Sequence, residues 1–142
     1  FADLYRRHRP DVYRFAAHMT GQASAADDIV QDVFLSVIRD IRRFEAGRGT
    51  LLAWLLGITR NHVRRWQHRR RWLAITGGDD DALGAIDADP MTSLSRQEDE
   101  AALKRALTEI PARYREVIVL CDLQELPYET AAGVLHVPVG TV

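Results

Sequence analysis

The sequence predicts an all-α fold of two small helical domains joined by a flexible acidic linker. Apolar residues recur at spacings of three and four through most of the chain, as on the buried face of a helix, and no segment shows the alternation typical of a β-strand. The composition also changes sharply along the chain. Residues 46–78 contain seven arginines and no acid, whereas residues 79–100 contain eight acids and one base. Such a reversal of charge, with Gly77 and Gly78 at its start, indicates a linker between two folded parts.

The bulk composition sets outer limits on the function. A length of 142 residues suffices for one compact domain or two small ones. No apolar run approaches the length needed to cross a bilayer, so we expect no membrane insertion. The single cysteine, Cys121, cannot form an internal disulfide and favours a reducing, cytoplasmic location.

Three helices are predicted in the first part of the chain. The first covers residues 1–19, where Pro10 can kink or divide it. The second follows Ser24 as N-cap, with Asp27 as its capping-box partner. The third runs from about Leu51 to Trp72 after the N-cap Thr50. The apolar face predicted for the second helix consists of Ile29, Val30, Val33, Phe34, Val37, Ile38 and Ile41.

The last part of the chain predicts a helix-turn-helix. One helix starts near Thr92 or Ser93, a second runs from Pro111 through Leu123, and a third begins at Pro127 and ends near Leu135. The spacing of the last helices and their small residues are typical of the motif, although an ordinary helical hairpin remains an alternative. The chain stops at Val142, where the recognition helix of such a motif should begin.

Two polar surfaces are candidate binding sites. The arginines of the third helix lie at spacings that place several cations along one side, which phosphates attract; a solvated helix is the alternative. Trp54 and Trp66 lie among these arginines, but we expect them to belong to the core rather than to stack on bases. On the second helix Asp28, Gln31 and Asp32 form either a solvated face or a docking surface.

No group of residues predicts catalysis or a cofactor. His62 and His68 are six residues apart, which fits no common metal pair on one helix. There is no glycine-rich phosphate loop, no His-Glu-x-x-His sequence and no nucleophile elbow. We therefore expect no metal, no cofactor and no enzymatic activity.

With these features in place, the chain resembles the extracytoplasmic-function (ECF) sigma factors of bacterial RNA polymerase over almost its whole length. The resemblance depends on ADDIVQDVFL at 26–35, FEAGRGTLLAWLLGITRN at 44–61 and LTEIPARYREVIVL at 107–120, the last followed by PYE at 127–129 and PVGTV at 138–142. Each stretch is loosely specific alone, but their order around an acidic linker is highly specific. Departures include His136 in place of a glycine in the turn, and Leu126 and Pro127 in place of a Gly-Ser pair.

The resemblance implies that the chain is divided into two domains and a linker between them. Residues 1–75 would form a sigma region 2-like domain that binds core polymerase and the −10 element, 76–92 the linker, and 93–142 a region 4-like helix-turn-helix domain truncated at its recognition helix. The residues implied for core polymerase are Asp28, Gln31, Asp32, Phe34 and Leu35. Those implied for −10 DNA are Arg48, Thr50, Arg60, Asn61, Arg64 and Arg65. Those implied for DNA contacts of the −35 domain are Tyr128, Glu129 and Thr141.

The implied function is to direct RNA polymerase to promoters and to aid melting at the −10 element, without chemistry of its own. The implied partners are core RNA polymerase, promoter DNA as duplex and as melted non-template strand, and an anti-sigma factor. The linker acids Asp79, Asp80 and Asp81 could also occupy the basic helix in the free protein. Alternatives are a polymerase-independent helix-turn-helix regulator, a sigma-like module that only titrates an anti-sigma factor, and a helical enzyme.

Overall fold

The structure, a computed structural model, describes residues 1–77 and 94–142. Within these residues the protein is helical and has no β-strand, as the sequence predicts. The linker acids Asp79, Asp80 and Asp81 and the predicted cap residues Thr92 and Ser93 lie outside the described residues.

The first part of the chain is a bundle of three helices, α1 (Ala2–Thr20), α2 (Ala23–Asp40) and α3 (Leu51–Thr76). Each of the three packs against the other two. Pro10 lies within α1 without dividing it. The bundle core is formed by side chains that have almost no exposed surface, among them Val12, Phe15, Met19, Val33, Val37, Leu55, Leu56 and Val63.

The connection between α1 and α2 is tighter than the sequence predicts. Gly21 ends α1 in the left-handed region, with φ 71°, and the Thr20 hydroxyl hydrogen-bonds the backbone of Gln22. Helix α2 therefore begins at once, at Ala23, with Gln22 as its N-cap. The prediction of Ser24 as N-cap was wrong, because this sharp reversal places Ser24 inside the first turn of the helix.

A loop with two short 3-10 turns, Ile41–Arg43 and Ala46–Arg48, leads from α2 to α3. The predicted cap of α3 is confirmed, because the Thr50 side chain accepts a hydrogen bond of 3.1 Å from the backbone N–H of Ala53. An N-cap hydroxyl satisfies a backbone donor that has no partner within the helix. Thr50 therefore fixes the point at which the loop turns into the basic helix.

The last part of the chain consists of α4 (Leu94–Glu109), α5 (Ala112–Ile118), which continues as a π-helical turn over Val119–Leu123, and α6 (Tyr128–Leu135), followed by a 3-10 turn over Val139–Thr141. His136 ends α6 in the left-handed region, with φ 56° and ψ 43°. This conformation favours glycine. The turn therefore carries the strain expected from His136 at a glycine position.

The two helical units pack against each other, which the sequence does not predict. Their apolar side chains belong to one continuous core, in which Val119, Leu120 and Val134 join the residues of the three-helix bundle. Helix α6 lies on α3, and the π-helical turn lies on α1. The interface gives the second unit a defined position on the first.

None of the helices in the described residues is both long enough and apolar enough to cross a membrane.

Candidate nucleic-acid interface

Helix α2 presents a polar surface to solvent. Asp28, Gln31 and Asp32 are exposed, as predicted, while the residues between them face the core. Leu35 continues this surface with 57% of its area exposed. Phe34 was also predicted as a contact residue, but it is only 4% exposed and its ring packs against the ring of Tyr5 at 4.8 Å. Phe34 is therefore a core residue.

The end of α2 exposes more apolar surface than its pattern predicts. Ile38 and Ile41 were placed on the buried face, but they are 57% and 42% exposed. The buried face of α2 ends at Val37, because the chain leaves the bundle in the 3-10 turn that follows. Leu35, Ile38 and Ile41 therefore form an apolar continuation of the acidic surface.

Helix α3 carries the basic surface. Arg64, Arg65, Arg69 and Arg71 are exposed and line an open cleft of about 890 Å³ together with residues of α2 and α5. The cleft also contains the carboxylates of Asp32 and Glu116. Exposed cations at this density attract the phosphates of nucleic acids, and salt weakens that attraction.

His62 connects α3 to α2 below the arginines. Its Nε2 lies 3.1 Å from the Ser36 hydroxyl. Burial lowers the pKa of His62 below its ordinary value of 6.5, and the cation of Arg65 lowers it further. The imidazole is thereby held neutral among arginines and acts as a packing and hydrogen-bonding group.

The loop before α3 and the face of α3 below it enclose a cavity of about 420 Å³. Arg48, Thr50, Trp54 and Asn61 line it on the side of the three-helix bundle. Trp54 and Trp66 are both partly buried against the core, as expected, and the Arg70 guanidinium lies 5.1 Å from the centre of the Trp66 ring. The opposite side of the cavity is lined by Gly133, Val134 and His136 of the second unit.

Arg60 does not lie on the exposed basic surface, where the sequence analysis placed it. Its Nε donates a hydrogen bond of 3.0 Å to Oε1 of Glu116 on α5, and the two side chains are only 13% and 8% exposed. The pair joins the basic helix to the second helical unit. Because the two residues are 56 positions apart, no local sequence pattern relates them.

Sequence reasoning also missed Arg115. Its guanidinium donates to the backbone oxygens of Met19 at 2.7 Å, Ile110 at 2.8 Å and Thr108 at 3.1 Å. Burial lowers the pKa of Arg115, although a guanidinium stays charged at any physiological pH. Arg115 therefore joins the α4–α5 turn to the end of α1.

The residues implied for the −35 domain are all exposed. Tyr128 begins α6 and is 62% exposed, Glu129 follows it, and Thr141 lies in the last 3-10 turn. Tyr128 and Glu129 are therefore at the start of α6, and Thr141 lies beyond the end of that helix. The structure places them on the surface of the second unit but does not bring them together with the basic helix.

No group of three or more metal-ligating side chains converges within residues 1–77 and 94–142. Cys121 is partly buried, and burial raises the pKa of its thiol. A raised pKa disfavours the thiolate, which is the nucleophilic form of cysteine.

Comparison with known families identifies both units. Residues 4–73 match the model "Sigma-70 region 2", and residues 100–142 match "Sigma-70, region 4". The chain is also 33% identical over 145 aligned residues to the RNA polymerase sigma factor CarQ of Myxococcus xanthus, covering 99% of this chain and 79% of that protein. The chain belongs to the ECF family of RNA polymerase sigma factors. These proteins act in transcription initiation.

Two further likenesses extend the match. The ECF sigma factor SigE of Mycolicibacterium smegmatis is 32% identical over 99% of this chain, which spans only 54% of that relative's length. The sigma factor RpoE of Bartonella quintana, solved in complex with the anti-sigma factor NepR, superposes with a TM-score of 0.81 at 29% identity, covering 99% of this chain and 86% of that one.

Proposed function

We propose that this chain directs core RNA polymerase to promoters by binding both the enzyme and the −10 DNA, without any chemical step of its own. The observation that carries the proposal is that the first unit matches sigma region 2 and the second unit matches sigma region 4, in that order along the chain. The fold also exposes the acidic face of α2 and most of the arginines of α3. Residues 1–75 would bind polymerase and the −10 element, 76–92 would act as the linker, and 93–142 would anchor upstream DNA. Such a protein would work in the cytoplasm.

The proposed polymerase surface consists of Asp28, Gln31 and Asp32, with Leu35 as its apolar neighbour. These side chains are exposed and are held in place by a helix whose opposite face is buried. A rigid helix face with two carboxylates suits a basic partner surface, because complementary charge speeds association and fixes the register of the complex. The structure of RpoE of Bartonella quintana bound to an anti-sigma factor supports a further proposal, that this chain is held inactive by a partner of that class.

The proposed −10 surface consists of the loop before α3 and residues 51–65 of that helix. Arg48, Thr50 and Asn61 line one side of the cavity of about 420 Å³ between this loop and α6. Removing a base from the stack costs a few kcal/mol, which a shaped pocket and nearby cations offset. We propose that Asn61 hydrogen-bonds a base edge and that Arg64 and Arg65 hold phosphates.

The proposed contacts of the second unit are weaker, because Tyr128, Glu129 and Thr141 carry no positive charge. Tyr128 and Thr141 have hydroxyl groups that can donate to a phosphate oxygen. Glu129 could only accept hydrogen bonds, from an exocyclic amine of a base.

Binding of the chain to the core RNA polymerase of the bacterium that encodes it tests the proposal. We expect an Asp28→Arg/Asp32→Arg variant to lose the tight binding of the wild type. A matched control, Glu109→Arg/Asp122→Arg, makes the same change of charge at exposed positions of the second unit and should bind like the wild type. Failure of the well-folded wild type to bind would instead favour a polymerase-independent helix-turn-helix regulator.

Transcription of fragmented genomic DNA by the reconstituted enzyme, followed by sequencing of transcript starts, tests the −10 residues. Asn61→Ala should relax the base preference at one −10 position, whereas Arg64→Ala should weaken all promoters alike and reduce the salt dependence of binding. Equal effects of the two substitutions on every promoter would contradict the assignment of Asn61 to base reading.

A further inference from the structure

We propose that the cleft between the end of α1 and helices α3, α4 and α5 is a binding site for a small phosphate anion with several negative charges. The ligand class is a polyphosphate group, which inorganic polyphosphates and nucleoside triphosphates share. The inference goes beyond the proposed function, because such a site requires neither polymerase nor promoter DNA.

The cleft has the size and shape of a small-molecule site. Its volume is about 650 Å³, and four parts of the fold form its walls. The turn after α1 contributes Gly21, α3 contributes Trp66 and Gln67, α4 contributes Thr108, and α5 contributes Ala112. Sites for small ligands are typically concave, with volumes of about 300–1,000 Å³. The cleft therefore suits a compact ligand that is surrounded on several sides.

Positive charge dominates this cleft. None of the described residues that line it is an aspartate or a glutamate. Its cations come from α3, α4 and α5, and they are Arg70, Arg71, Lys104, Arg105 and Arg115. The neighbouring cleft that contains Arg64 and Arg65 differs, because Asp32 and Glu116 also line it. Because a cleft lined by one sign of charge concentrates the electric field, this one should attract an anion with several charges.

The charges of these cations are not neutralised by carboxylates. Within residues 1–77 and 94–142, Arg71, Lys104 and Arg105 form no ion pair. In the same part of the chain Arg115 donates only to backbone oxygens. Arg71 and Arg105 are exposed, so their guanidinium groups can reach a ligand from opposite walls. A guanidinium can bind two oxygens of one phosphate at once, which favours this anion over a monovalent one.

The walls of the cleft are held in place by contacts within the protein. Arg115 donates to the Met19 oxygen at 2.7 Å, which joins α5 to the end of α1. A Cβ at Gly21 would lie 3.2 Å from Cγ2 of Thr108, so the turn after α1 closely approaches α4. A preformed site loses less conformational entropy when it binds a ligand. Since α3 belongs to the first unit and α4 to the second, one ligand would contact both units.

Titration calorimetry of the full chain with inorganic tripolyphosphate, at one fixed ionic strength and without divalent cations, tests the site. We expect one bound tripolyphosphate per chain, and binding of inorganic monophosphate about tenfold weaker or less. Arg71→Gln/Arg105→Gln, which changes two exposed residues outside the proposed −10 surface, should weaken tripolyphosphate binding about tenfold. The matched control Arg6→Gln/Arg7→Gln removes two exposed arginines of α1 and should change binding less than about twofold.

A second variant separates a shaped site from general attraction by positive charge. Ala74 lines the cleft, and Ala74→Phe keeps every cation while it fills part of the space. It should weaken tripolyphosphate binding about fivefold, because the ligand and the ring compete for the same volume. Ala102→Phe, at an exposed position of α4 that does not line the cleft, is its control and should bind like wild type. Tripolyphosphate should also raise the thermal midpoint of wild type more than that of Arg71→Gln/Arg105→Gln.

ATP and GTP distinguish the two sources of the phosphate group. Tighter binding of either nucleotide than of tripolyphosphate would assign the site to a nucleoside triphosphate, and equal or weaker binding would assign it to the polyphosphate alone. No binding of tripolyphosphate by well-folded wild type would overturn the site. Equal weakening by Arg71→Gln/Arg105→Gln and Arg6→Gln/Arg7→Gln, or unchanged binding by Ala74→Phe, would overturn it as well. Because these titrations contain neither polymerase nor DNA, their failure would leave the proposed function untouched.

Discussion

Arg115 offers the sharpest test of how the second unit is held together. Its guanidinium donates to three backbone oxygens, two in the α4–α5 connection (Thr108 and Ile110) and one at the end of α1 (Met19). Backbone oxygens at helix ends have no partner within the helix, so they need donors from elsewhere. The perturbation is Arg115→Met, which keeps the apolar stem of the side chain and removes all three donors.

The expected loss follows from these three bonds. A hydrogen bond to a charged group contributes about 1.5–3 kcal/mol, and a carbonyl left without a donor carries its own cost. Two effects reduce this loss. Arg115 is partly exposed, so water replaces some of the lost hydrogen bonds. The variant also avoids the free-energy cost of removing a charged guanidinium from water on folding. We therefore expect the free energy of unfolding to fall by about 2–4 kcal/mol rather than by the full sum.

Urea unfolding followed by circular dichroism measures this loss from the midpoint and slope of the transition. Arg115→Lys should lose less than Arg115→Met, because an ammonium can still donate to one or two of the oxygens. Arg113→Met is the control on the same helix: its guanidinium is exposed and lies 4.8 Å from the Tyr114 ring, a contact of about 0.5–1 kcal/mol. A free energy of unfolding for Arg115→Met equal to that of Arg113→Met would refute the reasoning.

Three other predictions concern the first unit. Thr50→Ala should lower the free energy of unfolding by about 1 kcal/mol through loss of the α3 cap, and Thr50→Asn should restore most of it, as measured by urea unfolding. Because the pKa of His62 is lowered in the folded protein, the unfolded chain binds that proton more readily. The contribution of neutral His62 to the free energy of unfolding should therefore be fully present above pH 6.5 and be lost as the pH falls below 6.5. The variant His62→Gln should lose less stability over the same pH range. Phe34→Ala should cost about 3–5 kcal/mol, whereas Leu35→Ala should cost less than about 1 kcal/mol yet weaken polymerase binding; equal losses of stability would contradict their different burial.

Much of the fold was predictable because its determinants are local. The cap of α3 requires only Thr50 and the residues directly after it, and the break at Gly21 requires only one residue that tolerates a positive φ. Helical periodicity placed α1, α2, α3, α5 and α6 within a few residues of their observed bounds. At Ser24 the local pattern predicted an N-cap, but the sharp reversal of the chain at Gly21 starts α2 at Ala23 and places Ser24 inside the helix.

Burial at the edges of the bundle was less predictable. Phe34 and Leu35 are adjacent and both apolar, yet one is 4% and the other 57% exposed. The pattern of α2 continues to Ile41, but the bundle does not extend that far, so Ile38 and Ile41 face solvent. Periodicity gives the side of a helix that can be buried, whereas the length over which it is buried depends on where the neighbouring helices end.

The interface between the units depends on residues that are distant in the sequence. Arg60 and Glu116 each look like a surface residue in their own segment, since a charged side chain is rarely buried unless it is paired. Glu116 is followed by a hydrophobic run that packs on α1, and that run brings the carboxylate to α3. The seven arginines of residues 46–78 therefore do not form one equivalent set. Arg60 contributes to the packing of the two units, whereas Arg64, Arg65, Arg69 and Arg71 are exposed on the same helix, where their charges attract phosphate.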